Sequence, residues 1–245
     1  MNHVNRRKGF TLIELLLAMG FISVLLLAIA MTILQISSIY NRGMIVKEVN
    51  QISRNVTTEL QGAIAKTAPF SITQTTGSRY FKQGNPAWGG RLCLGQYSYI
   101  WNYGSVLQTN TSPTRNRYVN EALLITNTSN PIRLVKVYDV DAAYCADLNR
   151  AIDPTNATEL VNAGDYTLAV HDFTIATSAT SHDTATGQRL YALTFTIGTN
   201  ETATLQTDAS NVVSSCKAPG VVGADLSYCV VQKFSIAVRA GNVVQ

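Results

Sequence analysis

Hydrophobic and polar positions divide this chain into stretches of different pattern. From Leu15 to Ile36 every position is apolar or Ala except Gly20, Ser23, Thr32 and Gln35, and none is charged. A helix over that run is about 33 Å long, enough to cross the roughly 30 Å hydrocarbon core of a bilayer once. Past it the pattern becomes one-sided. Ile45, Val49, Ile52, Val56, Leu60 and Ile64 recur at the spacing of one helical face. Lys47, Glu48, Asn50, Gln51, Arg54, Asn55, Thr58, Glu59 and Gln61 make the opposite, solvated face. No proline occurs between Phe10 and Ala68, and Pro69 ends the pattern. Together these stretches predict one helix from about Thr11 to Lys66, on the order of 80 Å long.

Beyond Pro69 the period changes from that of a helix to that of a strand. Runs at Arg91–Leu94, Tyr97–Asn102, Ala122–Thr126, Ile132–Asp139, Tyr166–Ala176, Gln188–Ile197 and Val230–Arg239 read as strands. Tyr191, Leu193, Phe195 and Ile197 fall on one side of such a strand, and Phe234, Ile236 and Val238 do the same near the C-terminus. That alternation suits antiparallel strands with one covered face. Ala142–Leu148 and Ala157–Asn162 read as short helices. Ser71–Asn85, Asn102–Asn120, Ser178–Gly187 and Gly198–Ser215 read as loops or hairpin connections. The expected fold is α+β: one long N-terminal helix packed on a C-terminal antiparallel β-sheet domain. Its parts are a basic leader at 1–9, a membrane-spanning segment at 10–39, an amphipathic continuation at 40–68 and a β-rich head at 69–245.

Charge changes the picture at one place. The chain carries a formal +4, but Arg6, Arg7 and Lys8 supply three of its 19 cations, so 16 cations face 15 carboxylates beyond residue 9. The basicity is therefore a local signal ahead of the apolar run. By the positive-inside rule it keeps the N-terminus cytoplasmic and sends the C-terminal bulk across the membrane. Glu14 stands at the start of the apolar helix, where an unpaired carboxylate costs several kcal/mol. A secretory signal peptide would have a shorter apolar run and a small-residue cleavage site after it. Here the A-x-A match, Ala28-Ile29-Ala30, lies inside the run. A plain single-pass anchor explains the length and orientation but not Glu14.

Lys8-Gly9-Phe10-Thr11-Leu12-Ile13-Glu14 resembles the cleavage and methylation motif of type IV prepilins and type II secretion pseudopilins. The motif covers only the start of the chain. The resemblance implies a cut between Gly9 and Phe10 by a membrane aspartyl peptidase, and N-methylation of Phe10. It also implies that Glu14 of one subunit neutralises the new amine of its neighbour during filament assembly, since a paired buried charge is tolerable where an isolated one is not. The implied partners are other pilin subunits, the prepilin peptidase, the inner-membrane assembly platform with its ATPase, and membrane lipid before assembly. The implied location is the cytoplasmic membrane, then an extracellular pilus or the cell surface. Many major pilins carry a proline in the apolar half. The stretch from Ala28 to Thr32 has none, which with the chain's length points to a minor pilin supporting pilus biogenesis, adhesion, twitching motility or DNA uptake. Size and element order resemble the W-type minor pilins and the J-type pseudopilins. The alternatives are a type II secretion or competence pseudopilin, and a permanently anchored surface-binding module or adhesin.

Four cysteines, Cys93, Cys145, Cys216 and Cys229, lie beyond the span. An even count on an exported side favours disulfides. Three connectivities are possible, and nearest-neighbour pairing, Cys93–Cys145 and Cys216–Cys229, closes the shorter loops. The spacings contain no C-x2-C pair of the kind zinc sites use.

Catalytic chemistry has little to build on. His3 sits in the leader, His171 in a strand and His182 in a loop, and no H-E-x-x-H, G-x-S-x-G or phosphate-binding glycine loop occurs. The reading is non-enzymatic, with no cofactor. Asp139, Asp141 and Asp147 crowd one segment as weak calcium candidates, without the glycine or spacing of an EF-hand. Arg115 and Arg117 beside Tyr118, and Arg79-Tyr80-Phe81-Lys82, are small basic-aromatic clusters that could stack on single-stranded DNA. Trp88, Tyr97, Tyr99, Trp101, Tyr103 and Tyr80 make an aromatic-rich stretch, read as sheet core in preference to a binding surface.

Overall fold

The computed structural model describes residues 10–84, 87–107, 132–148, 150, 152, 154–161, 167–182, 187–225 and 227–241. It is an α+β fold in which a long N-terminal helix precedes antiparallel sheets. Helix α1 (Leu12–Ala65) has 54 residues and one continuous axis. Among the described residues every position from Leu12 to Ser37 is exposed, while the second half buries Ile45, Val49, Ile52, Val56, Leu60 and Ile64, the apolar face that their spacing predicts. Ser53 is buried with them. Each of these apolar side chains gains about 1.5–3 kcal/mol of gross burial energy. At the C-terminal end Lys66 N–H reaches Gly62 O, and Thr67 Oγ1 donates to Ala63 O at 2.7 Å.

The first sheet is a meander in chain order: β1 (Tyr80–Gly84), β2 (Ala87–Leu94), β3 (Tyr97–Asn102), β4 (Leu134–Tyr138) and β5 (Ala157–Glu159), all antiparallel. The second sheet has the order β10-β7-β6, from β6 (Leu168–His182), β7 (Arg189–Thr199) and β10 (Val231–Ala240). A small hairpin joins β8 (Leu205–Thr207) to β9 (Val213–Cys216). Two single-turn helices, α2 (Gly104–Leu107) and α3 (Ala143–Ala146), and two 3-10 turns, Pro154–Asn156 and Thr202–Thr204, complete the described elements.

Period-two alternation decides which side chains meet. On β3, Tyr99 and Trp101 join the main core with the α1 stripe, while Ile100 joins a second core on the opposite face with Cys93, Val135 and Val137. The main core also takes Tyr191, Leu193, Phe195 and Ile197 from β7, all fully buried, and Val238 from β10. The two sheets are stitched by Trp101 stacked on Phe173 at 4.1 Å and by Tyr80 OH donating to Phe173 O at 3.0 Å. Gly90 on β2 lies opposite Trp101, whose indole occupies the space a Cβ would need. A larger residue there would force the ring aside.

Several short elements differ from expectation. The stretch read as a loop at Ser71–Asn85 contains β1, which exists because it closes a hairpin on β2. The stretch read as a short helix at 157–162 begins with β5 instead. Pairing with β4 outweighs the helical preference of Ala157-Thr158-Glu159, and the Glu159 carboxylate accepts from the N–H groups of Arg133, Leu134 and Val161. Within Gly198–Ser215 lie β8 and most of β9, and α2 falls in the segment read as a loop after Asn102. The strand expected at Ala122–Thr126 lies outside the described residues.

Candidate functional site

The feature that needs a partner is the N-terminal half of α1. Phe10 is 88 % exposed, and Leu12 through Tyr40 present apolar side chains on every face, with none of the most apolar window buried. Soluble monomers rarely expose more than a few hundred Å² of contiguous apolar surface. Two hydroxyls inside this run are satisfied locally: Ser23 Oγ donates to Met19 O at 2.8 Å and Thr32 Oγ1 to Ile29 O at 2.7 Å. Such bonds let hydroxyls enter an apolar medium without orphaned donors. The helix is long and apolar enough to cross a membrane, a property that anchors and signal sequences share. Gly9 and the leader lie outside the described residues.

Glu14 has a partner that the sequence reading did not foresee. Thr11 is the N-cap of α1, and its Oγ1 accepts from Glu14 N–H at 3.3 Å. Glu14 Oε2 in return accepts from Thr11 N–H at 2.9 Å and from Thr11 Oγ1 at 2.8 Å. This is a capping box, which satisfies otherwise orphaned donors at the helix start. Its signature, Thr-x-x-Glu ahead of an apolar run, was present in the sequence. Both side-chain bonds fall on Oε2, and a carboxylate has about four acceptor sites, so the cap leaves capacity for a further donor.

The lower edge of the head meets α1 just past the apolar run. Ser38 Oγ shares a 2.6 Å hydrogen bond with Ser227 Oγ, and Asn41 Nδ2 donates to Tyr228 OH at 3.1 Å. Higher up, Glu59 Oε1 accepts from Tyr99 OH at 2.7 Å and pairs with Lys136 Nζ at 2.6 Å, tying the helix to β3 and β4. Burial raises the Tyr99 phenol well above its usual range, and the bond to Glu59 adds to it. At the top, Tyr191 OH donates to Phe70 O at 2.6 Å and accepts from Phe70 N–H at 2.7 Å, with the rings stacked at 4.2 Å. Among the described residues the head therefore grips α1 from Ser38 onward and leaves Leu12 to Ser37 exposed.

The cysteines form Cys93–Cys145, with a sequence separation of 52, and Cys216–Cys229, with a separation of 13. The first bond holds the segment around α3 against the outer face of β2. Arg91 reinforces it: the buried guanidinium donates to the carbonyls of Tyr144, Asp147 and Arg150. Burial lowers its pKa to about 10, which leaves it charged at neutral pH.

The remaining candidates are dispersed. Asp139 is buried and already engaged: it accepts from Ser98 Oγ at 2.6 Å and from the N–H groups of Ala143 and Tyr144. Asp141 and Asp147 are exposed, and among the described residues no three His, Cys, Asp or Glu side chains could hold a metal ion. Tyr80, Tyr99, Trp101 and Tyr103 are core residues and Tyr97 packs against that core, so these members of the aromatic-rich stretch are sheet interior, while Trp88 is half-buried. In the cluster Arg79–Lys82 the aromatic members Tyr80 and Phe81 are buried, which removes them as a stacking platform. Arg115, Arg117 and Tyr118 lie outside the described residues. His171 is buried with Nε2 at 3.0 Å from Thr199 O, and burial lowers its pKa to about 4. The ring is thus a neutral core group. Comparison with protein-family models, with curated proteins and with solved structures finds no match to this chain.

Proposed function

We propose that this chain is a non-enzymatic structural subunit of a type IV filament, of the minor-pilin kind. It is held in the cytoplasmic membrane by α1 with its N-terminus inside. It is cut between Gly9 and Phe10, N-methylated on Phe10, and assembled with other pilin subunits by a membrane platform and its ATPase. The observation that carries this reading is the division of α1. One half is wholly exposed and apolar and opens on the Gly9–Glu14 motif, while the other half is built into a disulfide-bonded β-rich head. Moving the apolar half from lipid to a filament core exchanges one apolar solvent for another, so helix packing and polar pairing must supply specificity.

Mass spectrometry of the mature N-terminus tests the reading. N-methyl-Phe10 is expected. An intact Met1 would mean a permanent anchor, and a chain beginning at Met31 would mean a signal peptide cut after Ala30. A second comparison separates the two roles open to Glu14. Glutamine also serves in a capping box, so Glu14→Gln keeps the bonds to Thr11 and removes the charge. If Glu14 neutralises the amine of a neighbouring subunit, Glu14→Gln and Glu14→Ala both lose filament incorporation. If Glu14 acts through the cap alone, Glu14→Gln incorporates normally.

A further inference from the structure

The loop closed by Cys216–Cys229 carries an exposed apolar tip that the filament reading does not use. Val222 is 92 % exposed, with Val221 beside it, and both follow Pro219-Gly220. The tip is held in place. Lys217 Nζ donates to Val222 O at 3.2 Å, Val221 N–H to Ala218 O at 3.2 Å, and Ala224 N–H to Val221 O at 2.9 Å. Asp225 Oδ1 then accepts from the N–H groups of Ser227 and Tyr228, which fixes the return to Cys229. A fixed, nearly fully exposed valine is an expense in water that the head's own packing does not explain.

The position of the loop along α1 suggests what covers it. Its C-terminal end, Ser227 and Tyr228, is anchored on Ser38 and Asn41. These lie two and five residues past Ile36, the end of the apolar run, or about 3 and 7.5 Å along the axis. The polar headgroup layer of a bilayer adds about 5–8 Å on each side of the hydrocarbon core. Both anchors therefore fall within that layer when the run spans the core. Tyr40 and Tyr228, 66 % and 52 % exposed, stand at the same level, where tyrosines collect at membrane interfaces. Lys217 and Asp225, the charged residues of the loop, cancel, so the contact is apolar and interfacial.

We infer that, in the membrane-stored subunit, the Cys216–Cys229 loop rests on the bilayer and inserts Val221 and Val222 at the boundary between headgroups and acyl chains. The contact makes the loop a second, shallow foot beside α1 and sets the tilt of the head on the membrane. It rests on the reading that α1 spans the bilayer.

Fluorescence depth measurement on the full chain in phosphatidylcholine/phosphatidylglycerol vesicles tests it. Val222→Trp probes the tip, Leu25→Trp the span, and Thr76→Trp a distant exposed turn, with the wild-type emission of Trp88 and Trp101 as baseline. All three sites are exposed, so the substitutions leave the core intact. Expected is strong quenching of Leu25→Trp by bromine near the acyl-chain ends. Val222→Trp should be quenched best by bromine near the carbonyls, at a depth of about 15–20 Å from the bilayer centre. Thr76→Trp should be unquenched. If Leu25→Trp is quenched and Val222→Trp is not, the loop faces water or a neighbouring subunit and the inference is overturned while the spanning reading stands. If Leu25→Trp is not quenched, both are overturned.

Discussion

Leu60 and Leu26 lie on the same helix, and the same substitution should act very unequally on them. Leu60 is fully buried in the main core, whereas Leu26 is 59 % exposed and belongs to no core cluster of the described residues. Truncating a buried leucine to alanine removes its transfer energy and leaves a cavity, together about 2–5 kcal/mol. Taking about 3 kcal/mol and a shift of roughly 2–4 °C per kcal/mol for a domain of this size, Leu60→Ala should lower the melting temperature by about 6–12 °C. Leu26→Ala removes no packing from the head and keeps a strong helix former, so its effect should stay within about 0.5 kcal/mol. The assay is near-ultraviolet circular dichroism of the full chain in detergent, because Tyr99 and Trp101 are buried in the same cluster as Leu60 and report its loss. Equal shifts in the two variants would refute the division of the helix. So would a Leu60→Ala shift no larger than that of Leu26→Ala.

The disulfides should contribute unequally. Chain entropy gives about 4 kcal/mol for the bond that spans 52 residues and about 3 kcal/mol for the one that spans 13, so Cys93→Ala/Cys145→Ala should lower the urea midpoint further than Cys216→Ala/Cys229→Ala. His171 should make the head acid-sensitive: its folded pKa of about 4 lies below the unfolded value near 6.5, so the unfolded chain binds the extra proton between those limits and stability rises with pH across them. The effect is about 3 kcal/mol, and urea melts from pH 4 to 7 should show a shallower slope for His171→Leu. Arg91→Lys should loosen only the segment around α3, because an ammonium cannot reproduce a planar fork that reaches the carbonyls of Tyr144, Asp147 and Arg150. Faster amide hydrogen exchange confined to residues 143–147 would register it. Glu59→Gln should cost at most about 1 kcal/mol in a thermal melt, since the pair with Lys136 is solvent-accessible.

The long-range pattern was legible because period carries it. The α1 stripe from Ile45 to Ile64 and the alternation of Tyr191, Leu193, Phe195 and Ile197 each name a buried face without knowledge of what lies across it. The short strands were not legible, because pairing creates them. Tyr80–Gly84 has only two apolar residues, and Ala157–Glu159 has a helix-friendly sequence, yet each is extended because a neighbouring strand offers it a ladder. At the candidate site, the apolar run and the motif were plain in the sequence, while the capping box depends on the side-chain geometry of Thr11 and Glu14 at the helix start. The contact between Ser38 and Ser227 joins residues 189 positions apart, and no local pattern can announce such a pair.

The geometry also explains how one helix can serve two surroundings. A head that used the apolar half for its own core would have to unfold in part whenever that half changed neighbours. Here the main core draws on α1 only from Ile45 onward. The hydroxyls of Ser23 and Thr32 are bound to carbonyls of their own helix, so these two groups need no polar partner from outside. In the proposed filament role, transfer between lipid and a bundle of like helices would leave the stability of the head almost unchanged, and the free energy of the move would reduce to helix packing plus whatever Glu14 gains. Because the cap engages Oε2 through Thr11, Glu14 can accept a donor from a neighbour without giving up the helix start. In the proposed filament the cap would fix where the carboxylate points, and the intersubunit pair would make that direction matter.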